Sequence, residues 1–171
     1  MTGSRNADAG LQYDNDFWRF SLAVYRDGDV AKECLTLQEA TGVDVNLLLF
    51  CAWTGAGSIV LSGSDIATAS KRVADWQEHV VRLLRSARRN MKAPEYRAFE
   101  SLRTRMKALE IESEQVEQAM LFALSKGLSK SGLNPRDVIA RNVENYLEMA
   151  QGAAGLKSSA PLLIEAALRV R

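Results

Sequence analysis

The residue best placed to do chemistry is Asn46, a primary amide near the start of a long apolar run. An amide in such a run must find hydrogen-bond partners or cost about 1 to 3 kcal/mol. Trp18, Tyr25 and Trp53 could form the aromatic walls of a pocket around it. The same aromatics are also typical of a helical core, and Asn46 can instead bond a neighbouring loop or support Asp44. The residue types leave both interpretations open.

A second set of candidate binding residues is basic. Residues 71–107 contain eleven basic and four acidic side chains, although the whole chain has a net charge of only +1. At 100° per residue, five of these cations fall within about 120° of one another. They are Arg82, Arg85, Arg88, Arg89 and Lys92. An apolar stripe lies opposite them, formed by Val73, Trp76, Val80, Leu84 and Met91.

A basic face of this kind can bind the phosphates of nucleic acid or anionic lipid in a salt-dependent way. We assign that candidate site to Arg82, Arg85, Arg89 and Lys92. The same charges can instead pair with the acidic first third of the chain or with Glu78, one turn before Arg82. We favour ion pairing, because no aromatic residue is interleaved with the arginines to stack on single-stranded bases.

The sequence lacks the common signatures of catalysis. It has no G-x-S-x-G elbow, no Walker or kinase motif and no D-D-x-x-D cluster for magnesium. The single histidine, His79, excludes the common two- and three-histidine metal sites, and its spacing from Asp75 is typical of a surface helix pair. Gly55 and Gly57 follow a predicted helix, so we interpret them as a helix stop. We therefore predict no catalytic residue, no metal and no cofactor, and we favour a non-enzymatic function.

Three observations bear on the compartment. Cys34 and Cys51 stand alone among apolar neighbours, which predicts buried, reduced thiols in a cytosolic protein. The first sixteen residues are polar and lack the apolar core of a secretory signal. Residues 45–64 have no charge, but only the first nine are densely apolar, about 13 Å of helix and too little to cross a bilayer. We expect a cytoplasmic protein without a membrane span.

The apolar spacing predicts helices throughout. The strongest pattern runs from Ser64 to about Lys92, and a second stripe follows Pro94 to Leu109, so that the two form a long basic hairpin. The only candidate strand, residues 59–61, is too short to make a sheet. We predict an all-α fold, in which residues 1–171 form a single domain and a bundle of about seven helices. Residues 1–13 are predicted to be disordered, and residues 153–160 to link a last short helix.

The helix of residues 44–53 is apolar on every side, so we place it at the centre of the bundle. Asp44 is its predicted N-cap, because a carboxylate accepts the free N–H groups of an opening turn. The other predicted caps are Asp14 or Asn15, Asp29, and Ser64 or Asp65. Ser113 either caps a new helix or lies within a continuous one, and the pattern does not choose between them.

Three blocks of the sequence resemble a known family. They are Phe17-Trp18-Arg19-Phe20-Ser21-Leu22-Ala23-Val24-Tyr25, Cys34-Leu35-Thr36-Leu37-Gln38 and Gly42-Val43-Asp44-Val45-Asn46-Leu47-Leu48-Leu49-Phe50-Cys51-Ala52-Trp53. They resemble the opening block of a proteobacterial family of uncharacterised all-helical proteins, a domain of unknown function. The resemblance implies a small bacterial cytosolic protein and transfers no catalytic residue. It marks Asp44, Asn46 and Trp53 as signature positions.

These observations support three hypotheses. The one we favour is a protein-interaction or adaptor module that docks its basic hairpin or its last helix on an acidic partner. The second is a phosphate-binding protein for RNA or anionic lipid. The third is a small-molecule-binding protein or enzyme with a pocket near Asn46, lined by Trp18, Tyr25, Asp44 and Trp53. A homo-oligomer is compatible with all three.

Overall fold

The computed structural model describes residues 10–151 and 159–170. Most of the segment predicted to be disordered, residues 1–13, lies outside the described residues. The same holds for most of the predicted linker, residues 153–160. Both therefore stay predictions.

The described chain is helical and contains no strand, which confirms the predicted all-α class. The helices are α1 (Asp16–Tyr25), α2 (Gly28–Thr41), α3 (Val45–Ala56), α4 (Gly63–Trp76), α5 (Arg82–Asn90), α6 (Glu100–Ser125), α7 (Pro135–Gln151) and α8 (Pro161–Arg169). A π turn, Gln77–Val81, joins α4 and α5 into one rod, so the described residues form seven continuous helices. A 3-10 turn, Pro94–Phe99, leads into α6. None of the described helices is both long enough and apolar enough to cross a bilayer.

The caps differ from the predicted ones at two helices. Asn15 caps α1 and Asp44 caps α3, as expected. The cap of α2 is Asp27 and not Asp29, because the Asp27 carboxylate accepts from the Asp29 backbone N–H. Helix α4 is capped by Ser62, in a reciprocal capping box with Asp65 that satisfies two backbone amides at once. A cap at Ser64 would satisfy fewer amides, which is why the helix begins earlier than predicted.

Helix α3 lies at the centre, as predicted, and makes its most extensive contact with α7. Gly55 allows that contact. A Cβ atom at Gly55 would lie 2.5 Å from Ile139 Cα and 2.7 Å from Ile139 N, both backbone atoms of α7. The prediction that Gly55 is part of a helix stop is therefore wrong, because α3 continues to Ala56 and Gly57 is its C-cap.

The segment after α3, once the candidate strand, is held by one buried amide. Asn142 on α7 donates to Ile59 O at 2.9 Å and accepts from the Leu61 backbone N–H at 2.9 Å. Leu61 is itself buried. These bonds satisfy the backbone of an extended segment without a neighbouring strand, so the chain needs no sheet here.

The last helix folds back onto the bundle and packs on α1, α2, α3 and α7. Pro161 is its first residue, as predicted. The backbone N–H groups of Leu162 and Leu163 donate to the Glu33 carboxylate of α2, at 3.1 and 2.9 Å. A carboxylate from another helix therefore acts as the cap, and it also favours the positive end of the helix dipole.

The π turn changes which residues face inward. One extra residue in a turn rotates the side chains that follow by about 100°. Arg85 and Arg88 follow the buried Val81 at i+4 and i+7, and so share its inner face. An unbroken α-helix would have placed them in solvent, as we predicted. The same rotation leaves Leu83 61% exposed, although it was predicted to lie on the buried stripe.

The predicted hairpin exists, and its outer part has no buried residue. We call residues 82–109 the arm. It contains α5, the 3-10 turn and the first ten residues of α6, and its residues are exposed or half-buried throughout. The apolar residues Tyr96, Phe99, Leu102 and Leu109, expected to form a buried stripe, are exposed. Helix α6 is continuous through Ser113, which settles the alternative left open by the sequence.

We predict that Gly55→Ala destabilises the protein by about 1–3 kcal/mol or more, because the new methyl group meets backbone atoms that cannot rotate away. In a chain of this size, that corresponds to a fall in Tm of several degrees, measured by circular dichroism. Gly63→Ala is the matched control, since Gly63 begins α4 and has nothing within 4 Å of a Cβ atom. Equal Tm values for the two variants would contradict the close α3–α7 approach.

Candidate functional site

A buried polar cluster lies where α3 begins. The Asn46 side chain donates through Nδ2 to Glu117 Oε2 at 3.0 Å and accepts at Oδ1 from Gln118 Nε2 at 2.8 Å. All three residues are buried, and both partners lie on α6. The backbone N–H of Asn46 donates to the Asp44 carboxylate at 2.8 Å, which completes the cap. Asn46 thus bonds across the core to another helix and not to a neighbouring loop.

Glu117 is a buried acid that stays protonated near neutral pH. Burial, and then the negative charge of Asp44, raises the pKa of Glu117 well above its ordinary value. Its side chain also hydrogen-bonds with Asp44. Asp44 is anchored from a third helix, since its backbone N–H donates to the Tyr146 hydroxyl oxygen at 2.8 Å. The cluster therefore ties α3, α6 and α7 together at one point.

A second cluster consists of ion pairs between α5 and α6. Arg85 donates from Nε to Glu110 Oε1 at 3.0 Å, from Nη1 to Gln38 Oε1 at 2.8 Å, and from Nη2 to Glu114. Arg88 donates to Glu110 through Nε and Nη2. The side chains of Arg85 and Arg88 are only 17% and 18% exposed. These charges hold the arm to the body of the protein.

The two acids of this cluster titrate in opposite directions. Burial tends to raise the pKa of Glu110, but hydrogen bonds from Arg88 and Arg85 outweigh it and hold that pKa below the ordinary value. At Glu114, burial outweighs the attraction of Arg85, and the pKa is raised. The hydrogen bonds from two arginines explain why Glu110 stays ionised in a partly buried position.

Both clusters face one cavity of about 460 Å³, enclosed by α1, α2, the start of α3, α5 and α6. Four predicted pocket residues line it: Trp18, Tyr25, Asp44 and Asn46. Two residues of the predicted basic face, Arg85 and Arg89, line it as well. Residues that the sequence assigned to alternative sites are therefore brought together around the same space.

The remaining candidate residues lie elsewhere. Trp53 packs in the core, with its ring centroid 5.2 Å from that of Phe17 and 5.7 Å from that of Phe122. Arg82 pairs with Glu78 at 2.7 Å, on the outer surface. Lys92 is exposed in the turn after α5. The cavity thus takes in four of the five pocket candidates and two of the four basic candidates.

The other titratable groups singled out by the sequence are not part of the site. His79 and Asp75 form an exposed pair at 3.2 Å, as predicted. Cys34 and Cys51 are buried free thiols, also as predicted. Burial raises the pKa of both thiols, that of Cys34 to about 12, so neither is a nucleophile at neutral pH.

Sequence reasoning missed Glu117, Gln118 and Ser21, which surround Asn46 or line the cavity. We had assigned the inner face of α6 to apolar residues such as Val116 and Met120, which are half-buried. A signal was available: polar residues at positions 110, 113 and 117 recur at helical spacing. Only the demand of Asn46 for buried partners would have pointed to that polar stripe as an inner face.

We predict that Glu117→Gln makes stability less dependent on pH. A carboxyl group whose pKa is raised on folding contributes stability below its ordinary pKa of about 4.5 and loses it as the pH rises. Glutamine stays neutral at every pH, and its amide can still accept from Asn46 and donate to Asp44. Between about pH 5 and pH 8, the variant should lack a decline of up to about 1.4 kcal/mol per pH unit.

Urea unfolding at a series of pH values measures this slope. The control is Glu112→Gln, an exposed glutamate on the same helix, which should keep the native pH dependence. The idea of a protonated Glu117 is wrong if native protein and both variants lose stability in parallel as the pH rises.

The comparisons with known proteins place the chain in a family. The family model described as "Protein of unknown function (DUF2390)" matches residues 16–121. The match includes α1 to α5, most of α6, and the helices that enclose the cavity. No curated protein matches the chain, and no solved structure does. The match spans more than half of the chain, so this protein belongs to the DUF2390 family of unknown function.

Proposed function

We propose that this protein is a non-enzymatic interaction module of the bacterial cytosol. Its arm, residues 82–109, binds an acidic, amphipathic helix of a partner protein. The observation that supports the proposal is the exposure of the arm: none of its residues is buried, whereas Val81 before it and Glu110 after it are buried. Twenty-eight successive residues without a buried side chain contribute little to the core, so their apolar residues are available to a partner.

The arm has an apolar stripe. Phe99, Leu102, Met106 and Leu109 recur at spacings of three and four, and so share one side of the rod. Phe99, Leu102 and Leu109 are 54%, 46% and 52% exposed. Farther along α6, the same side is buried in the core at Ser113 and Glu117. An exposed apolar stripe that continues a buried one is typical of a helix-docking surface.

The charges beside the stripe indicate an acidic partner. Lys92, Arg97, Arg105 and Lys107 form no ion pair with any described residue. Carboxylates on a partner can pair with these four cations while apolar residues cover the stripe. Two arms of this charge would repel each other, which argues against arm-to-arm pairing of two copies.

The phosphate-binding hypothesis has less support. Three of its four candidate residues, Arg82, Arg85 and Arg89, already pair with glutamates. Displacing those glutamates would cost part of the energy that phosphates would contribute. The mixture of free cations and apolar groups on the arm suits a protein helix better than an extended polyanion.

The test compares two variants in capture from an extract of the source bacterium, followed by titration of the purified partner. Leu102→Asp/Leu109→Asp places charges on the stripe at positions already exposed, so the fold should persist. Leu133→Asp is the matched control, since Leu133 is 53% exposed in the loop before α7. We expect the arm variant to weaken binding more than tenfold, because two half-buried leucines contribute about 2 kcal/mol.

A partner that binds the arm variant with native affinity would overturn the proposal. Capture of RNA, or of vesicles of anionic lipid, in place of a protein would replace it with the phosphate-binding hypothesis. A protein that is lost with the arm variant and kept with the Leu133 control would support it. Arg105→Glu should then weaken the same complex, and more so at low salt.

A further inference from the structure

Two polar atoms that line the cavity lack a hydrogen-bond partner among the described residues. They are Ser21 Oγ on α1 and Gln118 Oε1 on α6. Ser21 is 4% and Gln118 2% exposed, so bulk water does not reach either side chain freely. The Gln118 amide donates from Nε2 to Asn46, which leaves the oxygen as the free end. A buried acceptor without a donor destabilises a fold unless something supplies the bond.

The rest of the inner wall is largely apolar. It is formed by Trp18, Leu22, Tyr25, Leu35, Val45, Leu49 and Ile111. The volume of about 460 Å³ falls within the roughly 300–1,000 Å³ typical of small-molecule sites. Apolar walls with a few convergent polar groups are the usual composition of such sites. The wall therefore fits an apolar body with one polar substituent that donates a hydrogen bond.

The α5–α6 side of the cavity is charged. Its cations are Arg85, Arg88, Arg89 and Lys107, and its acids are Asp44, Glu110 and Glu114. Arg85 is engaged by Gln38 and both glutamates. Arg88 uses Nε and Nη2 for Glu110, so its Nη1 remains free to donate. Lys107 forms no ion pair with a described residue, so a ligand anion at this end meets two available cationic donors.

We propose that the cavity binds a medium-chain hydroxy acid. Its alkyl chain packs on the apolar wall, and its carboxylate lies beside Arg88 and Lys107. Its hydroxyl donates to Gln118 Oε1 and bonds Ser21 Oγ. Each part of the ligand answers one feature of the cavity, and the site does not depend on what the arm binds.

The test is calorimetric titration of the full chain with three probes that differ in one group each. They are 3-hydroxydecanoate, decanoate without the hydroxyl, and 1,3-decanediol without the carboxylate. We expect one molecule of 3-hydroxydecanoate per chain, bound about tenfold more tightly than either of the other probes. Decanoate binding as tightly as the hydroxy acid would overturn the role of the free oxygen atoms, and equal binding of the diol would overturn the role of the cations.

Four variants locate the site. Ser21→Ala and Gln118→Met should remove the preference over decanoate. Ser21→Ala should do so without lowering Tm, because it deletes an unbonded hydroxyl. Lys107→Met should remove the preference over the diol, and the matched control Lys130→Met, at an exposed lysine outside the cavity, should change neither. No saturable binding of any probe by about 1 mM, or native preferences in Ser21→Ala and Lys107→Met alike, would refute the proposal.

Discussion

Helix α3 is apolar on every side, and the rest of the bundle is arranged to cover it. Helices α1, α2, α6, α7 and α8 all contact it. Complete coverage also removes water from its first turn, where the chain still has amides to satisfy. Asp44, Asn46, Glu117 and Tyr146 answer that need from inside the protein. The polar cluster is therefore a consequence of burying the helix, and its protonated acid follows from the same loss of water.

The cavity owes its mixed character to two different requirements. Its inner wall belongs to the helices that cover α3, which supply apolar side chains and the Asn46 cluster. Its outer wall belongs to the hairpin, which the π turn presents with arginines inward. Glu110 and Glu114 on α6 then neutralise part of that charge. An apolar wall and a charged wall meet because a core helix and an arm meet there.

Periodicity in the sequence was enough to predict the helical class, the central helix, the hairpin and the Asn46 neighbourhood. It failed where a single residue changes phase or where a partner lies far along the chain. The π turn moved Arg85 and Arg88 inward, and the wheel that placed them outward assumed an unbroken helix. Gly55 is needed because of Ile139, eighty-four positions away, and Glu117 is inward because of Asn46. Such tertiary pairings leave no local pattern to read.

The lack of buried side chains in the arm also has a thermodynamic consequence. Apolar burial gives the bundle its cooperativity, whereas the arm is attached mainly by ion pairs and half-buried contacts. Segments of this kind open as separate units at lower free energy than the core, and their amides exchange with solvent earlier. Salt screens the attaching charges but strengthens apolar burial little at moderate concentration. The protein therefore has two stabilities, one set by ions for the arm and one set by packing for the bundle.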